Sequence, residues 1–254
     1  MKPLAHGFSP VIDAHAHVGP IWPRVPSHAT AADGVRLMDL CGIDQALSSA
    51  SSFLNFSLRE GNRLVHRVTR EFPGRILGLC VADPRRPAKS AEDLEHYLGE
   101  AGFAGIKLHI ADTRLPYSDA RYDFIYEAAR TYAVPVLAHT FSDAEVTGFL
   151  DAAQRFPEVP FIVGHSGGYD WDHSVSRIAA VPNACFDVCC SCPDAGRIEA
   201  FVEAAGSERV LFGTDNAFLS PALNLSQVLC ADLTHEQKQQ ILGGNIRRIL
   251  EARK

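Results

Sequence analysis

Ile12-Asp13-Ala14-His15-Ala16-His17-Val18 carries two imidazoles two residues apart in an apolar run. On a strand, that spacing projects both rings from one face, where they can close on a single metal ion. Alone, the pair says little. Further ligand-type side chains recur at the ends of later apolar runs: Lys107 and His109, then His139, His165 and Asp215. The chain therefore reads as a metalloenzyme, and its fold must bring the ends of separate strands to one centre.

Short β-branched or leucine-rich runs alternate with stretches of helical period, the pattern of repeated βα units. The spacing predicts strands at residues 11–15, 43–49, 76–82, 104–110, 135–140, 160–165, 184–188 and 209–214. Helices are predicted near 29–41, 57–72, 91–101, 120–132, 144–156, 173–180, 195–205 and 236–252. Ser90 is positioned to cap the third helix, and Thr234-His235-Glu236-Gln237 has the form of a capping box. Phe72-Pro73-Gly74 and Phe156-Pro157 mark helix ends, since proline cannot continue the ladder. Eight parallel strands can form an open doubly wound sheet or close into a barrel. Polar residues at the carboxyl ends of strands 1, 4, 5, 6 and 8 share one centre only after closure. The expected architecture is α/β, a (β/α)8 TIM barrel with residues 1–254 as one domain.

Composition narrows the function classes. With 254 residues, 46% hydrophobic and 21% charged, the chain is long enough for one large core. Its 24 basic and 30 acidic residues give a formal charge of −6, no electrostatic basis for binding nucleic acid or an anionic membrane. The N-terminal stretch lacks the apolar centre of a signal peptide and no run reaches spanning length, so a cytoplasmic protein is expected. Seven cysteines, an odd number in a large chain, favour reduced thiols. Cys185, Cys189, Cys190 and Cys192 cluster without a second separated pair, which suits small apolar strand residues better than a structural zinc site.

His15, His17, His139, His165 and Asp215 fall at one rim of such a barrel, a set costly to bury without a shared partner. Neutral imidazole and carboxylate suit a divalent metal, most simply Zn2+, with Mn2+ as the alternative. A cation in such a site lowers the pKa of its water toward ~7. One of the histidines, or the aspartate, standing outside the coordination sphere would then move protons.

At this point the chain resembles the amidohydrolase superfamily, and within it the amidohydrolase-2 branch of metal-dependent TIM-barrel hydrolases and decarboxylases. The resemblance is carried by Asp13-Ala14-His15-Ala16-His17, Gly105-Ile106-Lys107-Leu108-His109, Ala138-His139-Thr140, Gly164-His165-Ser166-Gly167-Gly168, Phe212-Gly213-Thr214-Asp215 and Ile241-Leu242-Gly243-Gly244-Asn245-Ile246-Arg247-Arg248. It implies that His15 and His17 bind the first metal and that Asp215 completes that site and activates water. His139 is implied as a ligand, with His165 orienting water or polarising substrate, or both as ligands of a second ion. In the two-metal case Lys107 is implied as a carboxylated bridge. By its own strand parity Lys107 points inward, equally compatible with a charged floor residue or a partner of Asp83.

The implied reaction is hydrolysis of a small-molecule C–N or C–O bond (amide, lactone or ester), with decarboxylation as the alternative in the same branch. Gly164-His165-Ser166-Gly167-Gly168 also satisfies the nucleophile elbow G-x-S-x-G, with Asp215 and His235 following in order, so a serine hydrolase using Ser166 is a competing mechanism. A barrel that binds without turnover is a third reading. Trp22, Arg24, Phe53, Phe56, Arg114, Tyr169, Trp171 and Phe218 lie in loops after strands and offer aromatic area and positive charge to a compact small-molecule substrate. A homo-oligomer is compatible with these features.

Overall fold

The computed structural model describes residues 2–19, 30–50, 57–100, 102–109, 113–189, 192, 194–216 and 218–252. Its eight strands are β1 Ile12–His17, β2 Gln45–Ser49, β3 Ile76–Val81, β4 Phe103–His109, β5 Val136–His139, β6 Phe161–Gly164, β7 Ala184–Asp187 and β8 Val210–Leu211. They run parallel in sequential order, each paired with the next. The ring is completed where β1 meets the segment after β8: Ala14 donates its N–H to Phe212 O at 2.8 Å and Asp215 donates to His15 O at 2.8 Å. The expected TIM barrel is thus the fold, and its closure removes the open edges of a flat sheet.

Residues on the strands divide between two cores. Ile106, Leu108, Val136, Ala138, Phe161, Val163, Phe186 and Val210 pack with the helices outside the barrel. Leu47, Leu79, Leu137, Ile162, Cys185 and Leu211, one from each of six strands, form an inner layer with Ile12 and Ala14 of β1. Ile246 and Ile249 of the helix Asn245–Glu251 join that inner layer and plug the barrel floor. Asn245 anchors the plug by donating to Ser207 O at 2.6 Å and Val210 O at 2.9 Å.

Helix ends follow local chemistry. Thr30 and Asp33 form a capping box for Ala31–Cys41, and Ser57 and Ser142 cap Leu58–Glu71 and Asp143–Arg155. Phe72 and Phe156 end their helices just before Pro73 and Pro157, as expected. Ser90 is not a cap. The helix begins at Pro87, a residue whose missing N–H costs nothing in a first turn, and Ser90 lies buried inside it. Its hydroxyl instead accepts from Asp83 N and donates to Asp83 O, both at 2.9 Å.

Two further differences concern the C-terminal third. A helix at Pro221–Cys230 follows β8, and the final helix is three segments: His235–Gln239, a π-helical turn Gln240–Gly244, and Asn245–Glu251. The capping box of Thr234 and Gln237 is present. Widening the turn frees Ile241 O to accept from Phe212 N at 3.0 Å, tying the last helix to β8. Gly243 makes the close approach feasible, since a Cβ there would lie 2.8 Å from the carbonyl carbon of Pro10. Among the described residues, no helix is long and apolar enough to cross a membrane.

Candidate active site

The site begins with an irregularity in β1. Asp13 pairs with Ala46 but Ala16 pairs with Ser48, so three steps on β1 match two on β2. Strict alternation from the inward Ile12 would turn His15 and His17 toward the outer helices. The bulge inserts one residue and resets the phase, bringing both imidazoles inside. Asp13 stabilises the irregular backbone: its carboxylate accepts from His15 N at 3.0 Å, from Thr214 N at 3.1 Å and from the Thr214 hydroxyl.

His15, His17 and Asp215 converge. Each offers one ligand atom, and these atoms lie within 4.8 Å of one another. His17 Nε2 is 2.9 Å from Asp215 Oδ1, and His15 Nε2 is 3.6 Å from the same oxygen. Ser49 Oγ stands 3.2 Å from His17 Nδ1 and orients that ring. Asp215 sits in the left-handed region at φ 57°, which lets its N–H reach His15 O while its carboxylate turns back to the histidines.

His165 and His139 stand beside this trio rather than inside it. His165 Nε2 is 3.0 Å from His139 Nδ1, and the His165 ring lies 4.9 Å from that of His15. The His139 ring stacks on His109 at 4.3 Å, following the register that pairs these residues across β4 and β5. Lys107 is fully buried, with Nζ 2.5 Å from His15 Nε2. It does not pair with Asp83, whose carboxylate is taken by the Arg85 side chain at 2.9 Å.

The electrostatics follow from burial. It holds His15 and His139 well below the ordinary imidazole value, His165 at about 4 and His109 at about 3, with like charges on neighbouring basic groups acting in the same direction. Neutral rings are the form that ligates a metal. Burial pushes Asp215 up, but its hydrogen bond with His17, and then the neighbouring imidazoles, outweigh it and keep the carboxyl well below its usual range. Burial lowers Lys107 to about 8 against the pull of Asp215 and Asp187.

Ser166 is no nucleophile. It is fully buried and its hydroxyl is bound to the backbone of Asp187, accepting from N at 2.9 Å and donating to O at 3.0 Å. Asp215 is engaged with His17, and His235 stacks on Phe8 at 4.5 Å in the first turn of its helix, so the serine triad does not assemble. Of the loop residues, Phe218 meets the His17 ring edge-on at 5.5 Å and the exposed Tyr169 meets Phe141 at 5.4 Å, forming an aromatic border. Trp171 instead packs on Phe201 and donates to Asp194, a structural role. Trp22, Arg24, Phe53 and Phe56 lie outside the described residues, as does Cys190.

Three residues at the site are absent from the sequence-based site set. Asp187 ends β7 with its Oδ2 2.7 Å from His15 Nδ1. Cys189 has Sγ 3.7 Å from His165 Nδ1, and Phe141 meets the His165 ring at 5.3 Å. The signal that could have found Asp187 is a carboxylate closing an apolar strand, as Asp215 follows β8. Gly213 shows how tightly this corner is packed: a Cβ there would lie 2.8 Å from His15 Cβ and collide with Asp187 Oδ1. Gly213→Ala is accordingly expected to leave a folded barrel whose metal affinity, measured by competition with a chelator, falls roughly tenfold or more through displaced ligands.

The family model described as Amidohydrolase matches residues 12–252. No curated protein matches the sequence. Similar solved structures include 2,6-dihydroxybenzoate decarboxylase from Rhizobium, 15% identical, TM-score 0.79, covering 96% of this chain and 99% of that one. A dihydroxybenzoic acid decarboxylase from Polaromonas, with bound manganese and an inhibitor, is 18% identical at TM-score 0.78, over 96% and 98% of the two chains. 4-Oxalomesaconate hydratase from Rhodopseudomonas palustris is 20% identical at TM-score 0.73, over 95% of each chain.

Proposed function

This chain belongs to the amidohydrolase family of enzymes, and we propose that it is a metal-dependent hydrolase acting on a C–N or C–O bond of a small molecule. The observation that carries this reading is the convergence of His15, His17 and Asp215, two imidazoles and a carboxylate within 4.8 Å of one another at one end of the barrel. That donor set fits a divalent cation, zinc by its N,N,O character or manganese as in the Polaromonas structure. Such an ion supplies Lewis acidity toward a carbonyl and a lowered pKa for water.

The chain's own residues supply the remainder. Asp215, ionised and held by His17, is the acceptor for a proton leaving the attacking water. His165 and His139, in hydrogen-bond contact, carry a proton between the reacting atoms and the rim. Phe141, Tyr169 and Phe218 border the opening and exclude water from one side of a compact substrate.

Decarboxylation is the second reading, favoured by the two decarboxylases whose structures align with 96% of this chain. Metal-loaded protein assayed against lactones, amides, esters and hydroxybenzoates separates the two. Acid release without carbon dioxide supports hydrolysis, carbon dioxide release replaces it with decarboxylation, and turnover that survives metal removal overturns both.

Lys107 decides the number of ions. Carboxylated, it would hold two cations; as an amine beside His15, it would accompany one. Elemental analysis is expected to give one metal equivalent per chain in both the wild type and Lys107→Ala. Two equivalents falling to one or none in the variant would instead assign the bridge.

A further inference from the structure

Resting on the metal reading above, we propose that Asp187 is the positioning residue of the site, holding His15 in the one tautomer that presents Nε2 to the cation. Both residues are fully buried, and Asp187 Oδ2 lies 2.7 Å from His15 Nδ1. An ionised carboxylate only accepts, so Nδ1 carries the hydrogen and the lone pair falls on Nε2. Nε2 is the atom that faces Asp215 and Lys107.

Asp187 is itself unable to turn. Its Oδ1 accepts from Cys189 N at 2.9 Å and its Oδ2 also accepts from His165 N at 3.1 Å. Its backbone is clamped by Ser166 on both N–H and carbonyl. These bonds make one carboxylate the junction of β1, the end of β6 and the end of β7. They also hold His165 at φ 66°, a left-handed backbone that a non-glycine residue keeps only under such restraint.

A competing role for Asp187 is that of a ligand, since His15, His165, Asp187 and Cys189 bring one ligand atom each within 4.8 Å. The two nitrogens of the ring argue for positioning. His15 meets Asp187 through Nδ1, whereas Nε2 is the atom that faces Asp215 in the trio with His17, so the Asp187 carboxylate lies on the other side of the ring from that trio. The 2.7 Å contact is a charge-assisted hydrogen bond.

The test uses Asp187→Ala and Asp187→Asn in the full chain. Long-range proton–nitrogen spectra of the metal-free protein report the His15 tautomer, assigned by the signal lost in His15→Gln. Manganese affinity is measured separately by chelator competition. The wild type is expected to show Nδ1–H. Asp187→Ala is expected to lose that preference and to bind manganese about 10–100-fold more weakly, the scale for removing a partner of a ligating histidine. Asp187→Asn retains an oxygen for Nδ1–H and is expected to keep the tautomer with an intermediate affinity. If Asp187→Ala does not fold, His15 in the Nε2–H form in the wild type, or unchanged affinity in Asp187→Asn, overturns the proposal. Loss of one metal equivalent with the tautomer unchanged makes Asp187 a ligand and overturns it too. The tautomer is read without metal, so a wild type that binds no cation would sink the hydrolase reading while leaving this measurement intact.

Discussion

His15→Ala with His17→Ala is expected to reduce bound metal to less than about a tenth of an equivalent and turnover by at least about 10³-fold. The second figure follows from the several kcal/mol that a cation contributes to a developing negative charge, at about 1.36 kcal/mol per tenfold in rate. The variant also leaves Asp187 and Lys107 without their His15 partner, adding about 1–3 kcal/mol of destabilisation for each buried polar group so stranded. Circular dichroism must therefore accompany the elemental analysis and the rate. A folded double variant with full turnover would remove the metal from the mechanism.

The second large effect is at the other end of the barrel. Ile246 is fully buried against the inner layer, and Ile246→Ala is expected to cost about 2–5 kcal/mol through lost burial and the cavity left behind. At about 3 kcal/mol the midpoint of thermal unfolding falls by roughly 6–12 °C for a chain of this size. Metal content and turnover of the folded fraction should not change, because the plug and the ligands lie at opposite ends. Leu40→Ala, at a residue 57% exposed, is the control and should stay within about 0.5 kcal/mol of wild type. An Ile246→Ala protein with unchanged melting would mean that the floor does not share the core.

Much of this was legible in the residues themselves. The eight strands lie near their predicted positions because a parallel sheet buried on both faces demands continuous apolar runs, which periodicity detects. The positions of His15, His17 and Asp215 at one rim follow from their place at strand ends. Other features depended on three-dimensional packing. Ser90 had the composition of a cap, but Pro87 starts the helix earlier and the hydroxyl serves Asp83. Pro221–Cys230 lies outside the predicted helices although Ser220-Pro221 is a helix-start signal. Asp187 sits among Cys185, Phe186, Val188 and Cys189, surroundings that suggest an interior strand; its value comes from a partner 172 residues away.

The spacing within β1 has a consequence for how such a site is inherited. Both imidazoles share one face because a single residue separates them, much as a reading frame depends on what precedes it. Deleting Ala16 would preserve every ligand, yet make His15 and His17 neighbours on the strand and turn one of them into the helix layer. A comparison that scored only which residues survive would judge that lineage intact. The lesion would lie in spacing, and a compensating insertion between His15 and His17 would restore what no substitution could.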